Sequence, residues 1–393
     1  MTPLDTVRLS APAVYTAAGT DPATLWEALV AGKDTSSPCE HLAGPWPPFR
    51  NAFLVDDPDA ATLGVHRRVL RTSEKQARMA LYGARLALAG PAADGPVGGP
   101  DWGLYLGLPT VDEELLRFDA LERLHKVAGQ PGEVAALFGR EVPPFSGLSH
   151  LNSTAAAHIS AAFGLMGAMA AYSPFSDAGL QALIDGVLSV AEGENEAAVI
   201  GAVSPKVHPL LFAQYEHLGW NGAVPGEGSA FLLARRAGDA APGVRPAGYG
   251  RAFGAGEDGA NAGEDDRADA IAEAVQAALE MAGTDADGIG WVLPDAAWAT
   301  SAERAQKAAL DRVFAQAAHP PVVCTSARAT GVLGPAHPLA HTVLALTGLA
   351  TGRRLAAEGG TVREEELPVP RALVLACGVR GQACAVVLEG VGT

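Results

Sequence analysis

The feature that most constrains this chain is the alternation of short apolar runs with helical patterns. Trp102 to Leu108 (WGLYLGL), Ile289 to Leu293 (IGWVL) and Ala372 to Ala376 (ALVLA) read as buried strands. Between them, Leu180, Leu183, Ile184, Val187 and Leu188 fall at i, i+3, i+4, i+7 and i+8, which predicts an amphipathic helix starting just after Gly179. Thr300 and Glu303 have the T-x-x-E spacing of a capping box, and the helix they open runs through Leu310, Val313 and Phe314. A third helix spans about His337 to Leu349 and ends before Gly352. This alternation argues for an α/β architecture.

At 393 residues the chain exceeds one ordinary domain, and two intimately packed halves sharing a core would account for it. The stretch Ala237 to Asp269 is rich in Gly, Ala and acidic residues and reads as the least structured. Within it Gly254 to Asp266 (GAGEDGANAGEDD) reads as a flexible surface loop. The boundary between halves is therefore expected near residue 240, giving 1–240 and 241–393. Apolar residues make up 48% and charged residues 18%, as in a compact globular protein. A net charge of −16 argues against nucleic-acid binding, whose footprint is a basic surface. No apolar run approaches the roughly 18 residues of a membrane span, and no signal peptide is read at the N-terminus, so a cytoplasmic protein without membrane contact is expected. Cys39, Cys324, Cys377 and Cys384 are scattered without zinc spacing, and the last two sit in or beside an apolar segment as expected of inert buried thiols.

Five segments, in order, resemble the β-ketoacyl synthase family, within the thiolase-like fold. They are Gly19 to Gly32 (GTDPATLWEALVAG), Gly164 to Gly179 (GLMGAMAAYSPFSDAG), Gly219 to Leu233 (GWNGAVPGEGSAFLL), Thr325 to Gly334 (TSARATGVLG) and Gly378 to Leu388 (GVRGQACAVVL). The resemblance implies a five-layered αβαβα fold of two similar halves, each with a mixed sheet. A ketosynthase needs a cysteine thiolate at a helix N-terminus to hold the acyl chain, and two histidines to promote decarboxylation and stabilise the enolate. At the matching positions stand Ser176 for the cysteine, and Ala297 and Val332 for the histidines. The family lysine falls at Ala327 or its neighbour Arg328, and Val379 stands where a gating phenylalanine is usual.

Loss of the cysteine and both histidines on a retained glycine framework resembles the chain-length factors of type II polyketide synthases. Asp295 to Leu310, Thr325 to Leu339 and Ser176 to Leu183 are similar to segments of that branch, although it carries glutamine where this chain has Ser176. The resemblance implies a non-catalytic subunit, without cofactor or metal, paired with an active ketosynthase alpha subunit. The pair would condense malonyl units delivered by an acyl carrier protein, which would be met mainly through the partner. The interface strand would be Ala168, Met169, Ala170, Ala171, Tyr172 and Ser173, whose small residues allow edge-to-edge pairing. Chain length would be set by Thr110, Val111, Leu115 and Phe118, the less polar members of Leu108 to Phe118, because Asp112, Glu113 and Glu114 would be costly against an apolar chain. Two alternatives stay open: an acyltransferase or hydrolase using Ser176, and a homodimeric pseudo-enzyme that binds acyl or carrier-protein partners.

Other residues have plainer readings. Ser176 and Asp177 are explained by a helix N-cap. His337 and His341 share a helix face at i, i+4, but no third ligand accompanies them, so packed or solvated histidines are expected rather than a metal site. His158 lies on an apolar stretch and reads as a core or interface histidine. Gly226 and Gly228 of PGEG suit a tight turn with close backbone packing, and no phosphate-binding GxxxxGK[ST] is present.

Overall fold

The computed structural model of the protein describes residues 3–39, 51–110, 122–141, 148, 151–220, 222–238, 241–254, 262–295 and 299–392. Its largest sheet is built from β1 (Val7–Thr16), β2 (Trp102–Gly107), β3 (Met169–Tyr172), β4 (Ala197–Val203), β5 (Gly228–Arg236), β6 (Gly243–Phe253), β7 (Trp291–Leu293), β8 (Val322–Val323), β9 (Arg371–Cys377) and β10 (Gln382–Val391). The main helices are α1 (Pro22–Val30), α2 (Lys75–Asp94), α3 (Ser153–Phe163), α4 (Asp177–Ala191), α5 (Pro209–His217), α6 (Glu264–Met281), α7 (Thr300–Val313) and α8 (Ala336–Thr351).

Strand order is β8-β7-β9-β10-β6-β1-β5-β4-β2-β3. The order hides a repeat. Taken in chain order, the first five strands lie as first, fifth, fourth, second, third, and the last five lie in the same order. In each set the fifth strand pairs antiparallel with the first and fourth, while the second, third and fourth run parallel. The two sets meet where Leu9 of β1 pairs with Val244 of β6. Parallel strands must be covered on both faces, and β4 (AAVIGAV) is buried along its whole length.

Three apolar cores separate the layers. α2 and α3 pack on the outer face of the first five strands, around Met79, Leu88, Ile159 and Phe231. α6 and α7 cover the outer face of the last five, around Ile271, Val275, Leu373 and Val387. Between the two five-strand halves of the sheet lie α4 and α8, whose Leu183, Val187, Leu339 and Val343 share one core with residues of both halves. The result is the five-layered αβαβα fold of two similar halves. Among the described residues no helix is long and apolar enough to cross a membrane.

Several local expectations are corrected. The stretch Ala237 to Asp269 is not a loop throughout, because β6 occupies its middle and α6 begins at Glu264. A glycine that suggested a loop instead permits close packing: a Cβ on Gly250 would lie 1.9 Å from the Ala274 carbonyl of α6. Residues 255–261 of that stretch lie outside the described residues. α7 is capped by Ala299, with extended backbone and no side-chain bond, so Thr300 and Glu303 form no capping box. A bridge from Ala299 to Trp220 accompanies this earlier start. α4 begins at Asp177 rather than after Gly179, which places Gly179 inside the helix. There a Cβ would lie 2.1 Å from the carbonyl of Pro335, just before α8. Gly179→Ala must push two buried backbones apart. It is predicted to cost about 1–3 kcal/mol, the range for overpacking a core, read as a lower urea midpoint. An unchanged midpoint would mean that the two helices separate freely.

Candidate functional site

The ends of α4 and α8 bring together segments far apart in the sequence. β3 runs out through Ser173, Pro174 and Phe175 to Ser176, which stands at the N-cap position of α4 and is only 4% exposed. Its backbone is already helical (φ −56°, ψ −36°), and its hydroxyl makes no capping bond. The expectation of a serine cap is therefore corrected, since a capping residue normally takes extended geometry to aim its oxygen at the first free amides.

Val332 is held by the PGEG turn. Its amide donates to the Val224 carbonyl at 2.8 Å, and its carbonyl accepts from the Gly226 amide at 3.0 Å. The segment lies so close that a Cβ on Gly226 would sit 1.8 Å from the Thr330 carbonyl. Close packing thus accounts for this glycine. Val379 follows Gly378 after β9, and its carbonyl accepts from Arg267 Nη2 at 2.8 Å.

Ser176, Val332 and Val379, distant in sequence, line one cavity of about 60 Å³ with Thr110, Tyr215 and Leu218. Val332 and Val379 also join Ala299 and Ala302 in a small apolar cluster, against which Phe175, Leu218 and Ala327 pack. Ala297 lies outside the described residues. The two candidates for the lysine position separate: Ala327 packs on this cluster, whereas Arg328 is exposed and donates to the Gly360 carbonyl. Across Val332 opens a larger cleft of about 920 Å³, lined by Phe53, Val224, Gln306, Lys307 and Arg328 among others.

Chemically the cavity is poor. Among its described lining residues there is one serine hydroxyl but no thiol, imidazole, amine or carboxylate. A serine without a base is a weak nucleophile. Burial pushes the Tyr215 phenol well above its ordinary pKa, with the Asp295 carboxylate adding to the shift, so it is no base near neutrality. The thiol of Cys377 stands well above the ordinary range, chiefly through burial and then the Asp295 carboxylate. Burial likewise raises Cys324 to about 11 and Cys384 to about 12. None is a thiolate at neutral pH. Burial also lifts the Asp177 carboxyl, in the first turn of α4, to about 6.

The sequence reading missed the carboxylate inside the PGEG turn. Glu227 is 2% exposed, and its Oε2 accepts from Lys75 Nζ at 2.5 Å and from the Val55 amide at 3.2 Å. Its Oε1 accepts from the Val207 amide at 2.9 Å. One side chain therefore ties residues 53–55, the start of α2 and the segment after β4. A lone acid within GAVPGEGSAFLL was the available signal, because burial tolerates such a charge only when it is paired.

The other predicted residues are distributed as follows. Thr110 is exposed, and its carbonyl accepts from Gln76 Nε2 at 3.2 Å; Val111, Leu115 and Phe118 lie outside the described residues. Met169, Ala170, Ala171 and Tyr172 form β3, preceded by Ala168 and followed by Ser173. Among the described residues β3 ends the sheet, pairing with β2 on one side only. Met169 is exposed there, as is nearby Met166. His158 is half-buried with Nε2 3.3 Å from Thr72 Oγ1. His337 and His341 are fully buried in α8, ring edge to ring face at 4.4 Å. Among the described residues no cluster of three metal-ligating side chains occurs.

Residues 6–240 match the family described as Beta-ketoacyl synthase, N-terminal domain. No curated protein matches the sequence. Two solved structures are similar in fold at 17% identity. One, described as the ishigamide ketosynthase/chain length factor, gives a TM-score of 0.81 over 98% of this chain and 99% of that one. The other, a type II PKS acyl-carrier protein in complex with its ketosynthase bound to the hexaketide, gives 0.77 over the same shares.

The buried histidine pair generates a pH prediction. Burial lowers His337 from 6.5 to about 3 and holds His341 well below its ordinary value. The unfolded chain therefore binds more protons than the native one below about pH 6.5, and stability falls as pH drops through that value. The slope approaches about 1.4 kcal/mol per pH unit for each histidine. Denaturant titrations between about pH 7 and pH 5 should show this loss, and His337→Leu should reduce the slope. A flat profile in the unaltered protein would contradict the neutral, buried pair.

Proposed function

Because the chain belongs to the β-ketoacyl synthase family, we propose that it is a non-catalytic, chain-length-factor subunit of a type II polyketide synthase. The observation that carries this reading is the convergence of Ser176, Val332 and Val379 on one small, largely apolar cavity. That the positions aligned with nucleophile, base and gate meet in space supports the alignment that names them. What meets there is a hydroxyl and two valines, with no thiol, imidazole, amine or carboxylate among the described lining residues to act as nucleophile or base. The same fact tells against the acyltransferase or hydrolase alternative, which needs a base beside Ser176.

Chemistry would then belong to a partner ketosynthase that supplies the cysteine and histidines and condenses malonyl units carried on an acyl carrier protein. The open edge of β3, with Met166 and Met169 exposed, supports an edge-to-edge union with that partner. This also favours the heterodimer over a chain that works alone, although a homodimeric pseudo-enzyme would use the same edge. The repeated strand order supports a division into halves at 1–240 and 241–393. Thr110, where β2 leaves the sheet and meets the cavity, is proposed to begin the segment that limits chain length, with Val111, Leu115 and Phe118 following.

Mixing the purified chain with its cognate ketosynthase should give a 1:1 heterodimer by native mass spectrometry. Interfaces of this obligate kind bury roughly 2,000 Å² or more. Ser176→Ala should leave polyketide output within about twofold and cost less than about 1 kcal/mol, because no capping bond is lost. A stable homodimer that ignores the ketosynthase, or loss of output in a folded Ser176→Ala complex, would sink this reading.

A further inference from the structure

We propose that a cleft around Trp102, Arg235 and Arg236 is a second binding site, for a small organic acid that carries a hydroxyl or amine donor beside its carboxylate. The cleft opens where β2 and β4 begin, whereas Ser176 follows the end of β3, which runs parallel to them. The two sites therefore stand at opposite ends of the sheet. Strand register builds the new one. Trp102 of β2 pairs with Ala197 of β4, and Ala197 pairs in turn with Arg235 of β5. Residues paired directly across strands share a face, so Trp102 and Arg235 flank an alanine too small to part them. The Arg235 guanidinium accordingly lies over the indole, 4.9 Å from its centroid. Arg236, next along β5, donates from Nη2 to the Val190 carbonyl near the end of α4, at 2.9 Å. Both arginines line one cleft of about 660 Å³ with Asn195 and Glu196, a size usual for small-molecule sites. Its walls are fixed. The amides of Glu196 and Ala197 donate to the Asp101 carbonyl at 2.9 and 3.3 Å. Asn195 is 2% exposed, and its Oδ1 accepts from the Ala168 amide at 3.1 Å.

The charges in the cleft are unmatched. Arg78, Arg245, Arg251, Arg304, Arg312 and Arg371 each have a carboxylate within ion-pair distance. Arg235 is half-buried, yet among the described residues its side chain makes no ion pair and no hydrogen bond, and its Nε is buried without a partner. A cation withdrawn from water is costly unless something pairs with it. Stacked on the indole, the guanidinium keeps its in-plane N–H donors directed outward, in the fork that fits a carboxylate. Glu196 is exposed in the same cleft and, among the described residues, pairs with neither arginine. These opposite charges, each left open, set the class of ligand. A carboxylate meets Arg235 with Arg236 beside it, and a hydroxyl or amine on the same molecule donates to Glu196. An inorganic phosphate brings more negative charge to a cleft that already holds Glu196, and like charges so placed oppose binding.

This inference stands apart from the subunit reading, because it draws on no residue of the Ser176 cavity. The test titrates the full chain by calorimetry with three probes: gluconate, L-glutamine and inorganic phosphate. Gluconate and glutamine should bind saturably, one per chain, with dissociation constants on the order of 1 mM or tighter, and phosphate more weakly. Arg235→Gln should lower the affinity for gluconate and glutamine about tenfold or more, because the carboxylate loses its fork. Ser176→Ala and Arg140→Gln, the latter an exposed arginine on another helix, should leave binding unchanged. Glu196→Gln alters an exposed side chain and decides the question even where Arg235→Gln does not fold. It should weaken glutamine, whose ammonium loses its partner, and tighten phosphate. Absence of saturable binding by both gluconate and glutamine at about 10 mM would overturn the site. So would affinity that a folded Arg235→Gln leaves intact, or an equal loss in Arg140→Gln, which would make net charge responsible. Phosphate binding more tightly than either acid, or glutamine and phosphate affinities both unmoved by Glu196→Gln, would overturn the assigned ligand class.

Discussion

The contact between α4 and the approach to α8 governs this structure. Gly179 lies against the Pro335 carbonyl with no room for a side chain, so the helix backbones pack directly. Both helices are apolar on nearly every face, as helices buried between two half-sheets must be. Their close approach lets one continuous core serve both half-sheets. It also sets the position of the functional site. Ser176 opens α4, Val332 stands just before α8, and the separation of these helix starts decides what fits between them.

The energetics explain how a centre of this kind would tolerate the loss of chemistry proposed for it. A buried histidine or thiolate must be hydrogen-bonded or paired, and an unpaired one is costly. Exchanging such groups together for apolar side chains of suitable shape is often close to neutral. Val332 and Val379 pack on Ala299 and Ala302 with no polar requirement left over. Polar work continues nearby, where it holds backbone rather than substrate. The amide of Gln306 bonds both the amide and carbonyl of Asp295, and the Asp295 carboxylate accepts from the Cys377 amide. Glu227 binds three segments in the same manner. These bonds hold the frame without drawing on the side chains of Ser176, Val332 or Val379.

Much of the fold was readable from the pattern of residues, because buried strands and apolar helices announce themselves by composition and period. WGLYLGL, ALVLA and the helix ending before Gly352 lie where expected, and Gly352 closes α8 in the left-handed conformation (φ 67°). Patterns failed where tertiary packing overrode a local signal. Gly250 looked like loop material but is a strand residue pressed against α6, and Thr300 looked like a cap but lies one residue inside its helix. At the site, alignment alone named Ser176, Val332 and Val379, but nothing in the sequence shows that they share a cavity. The direction of Ala327 against Arg328, and the three bonds of Glu227, depend on contacts between residues far apart in the chain. Spacing does not encode such contacts.

The central claim, that this chain holds no acyl group itself, is tested most directly by acyl loading followed by intact-protein mass spectrometry of both subunits. The complex is incubated with an acylated carrier protein and its components are weighed separately. The account predicts an acyl adduct on the ketosynthase cysteine and an unchanged mass for this chain. A covalent acyl adduct that maps to Ser176 would contradict it.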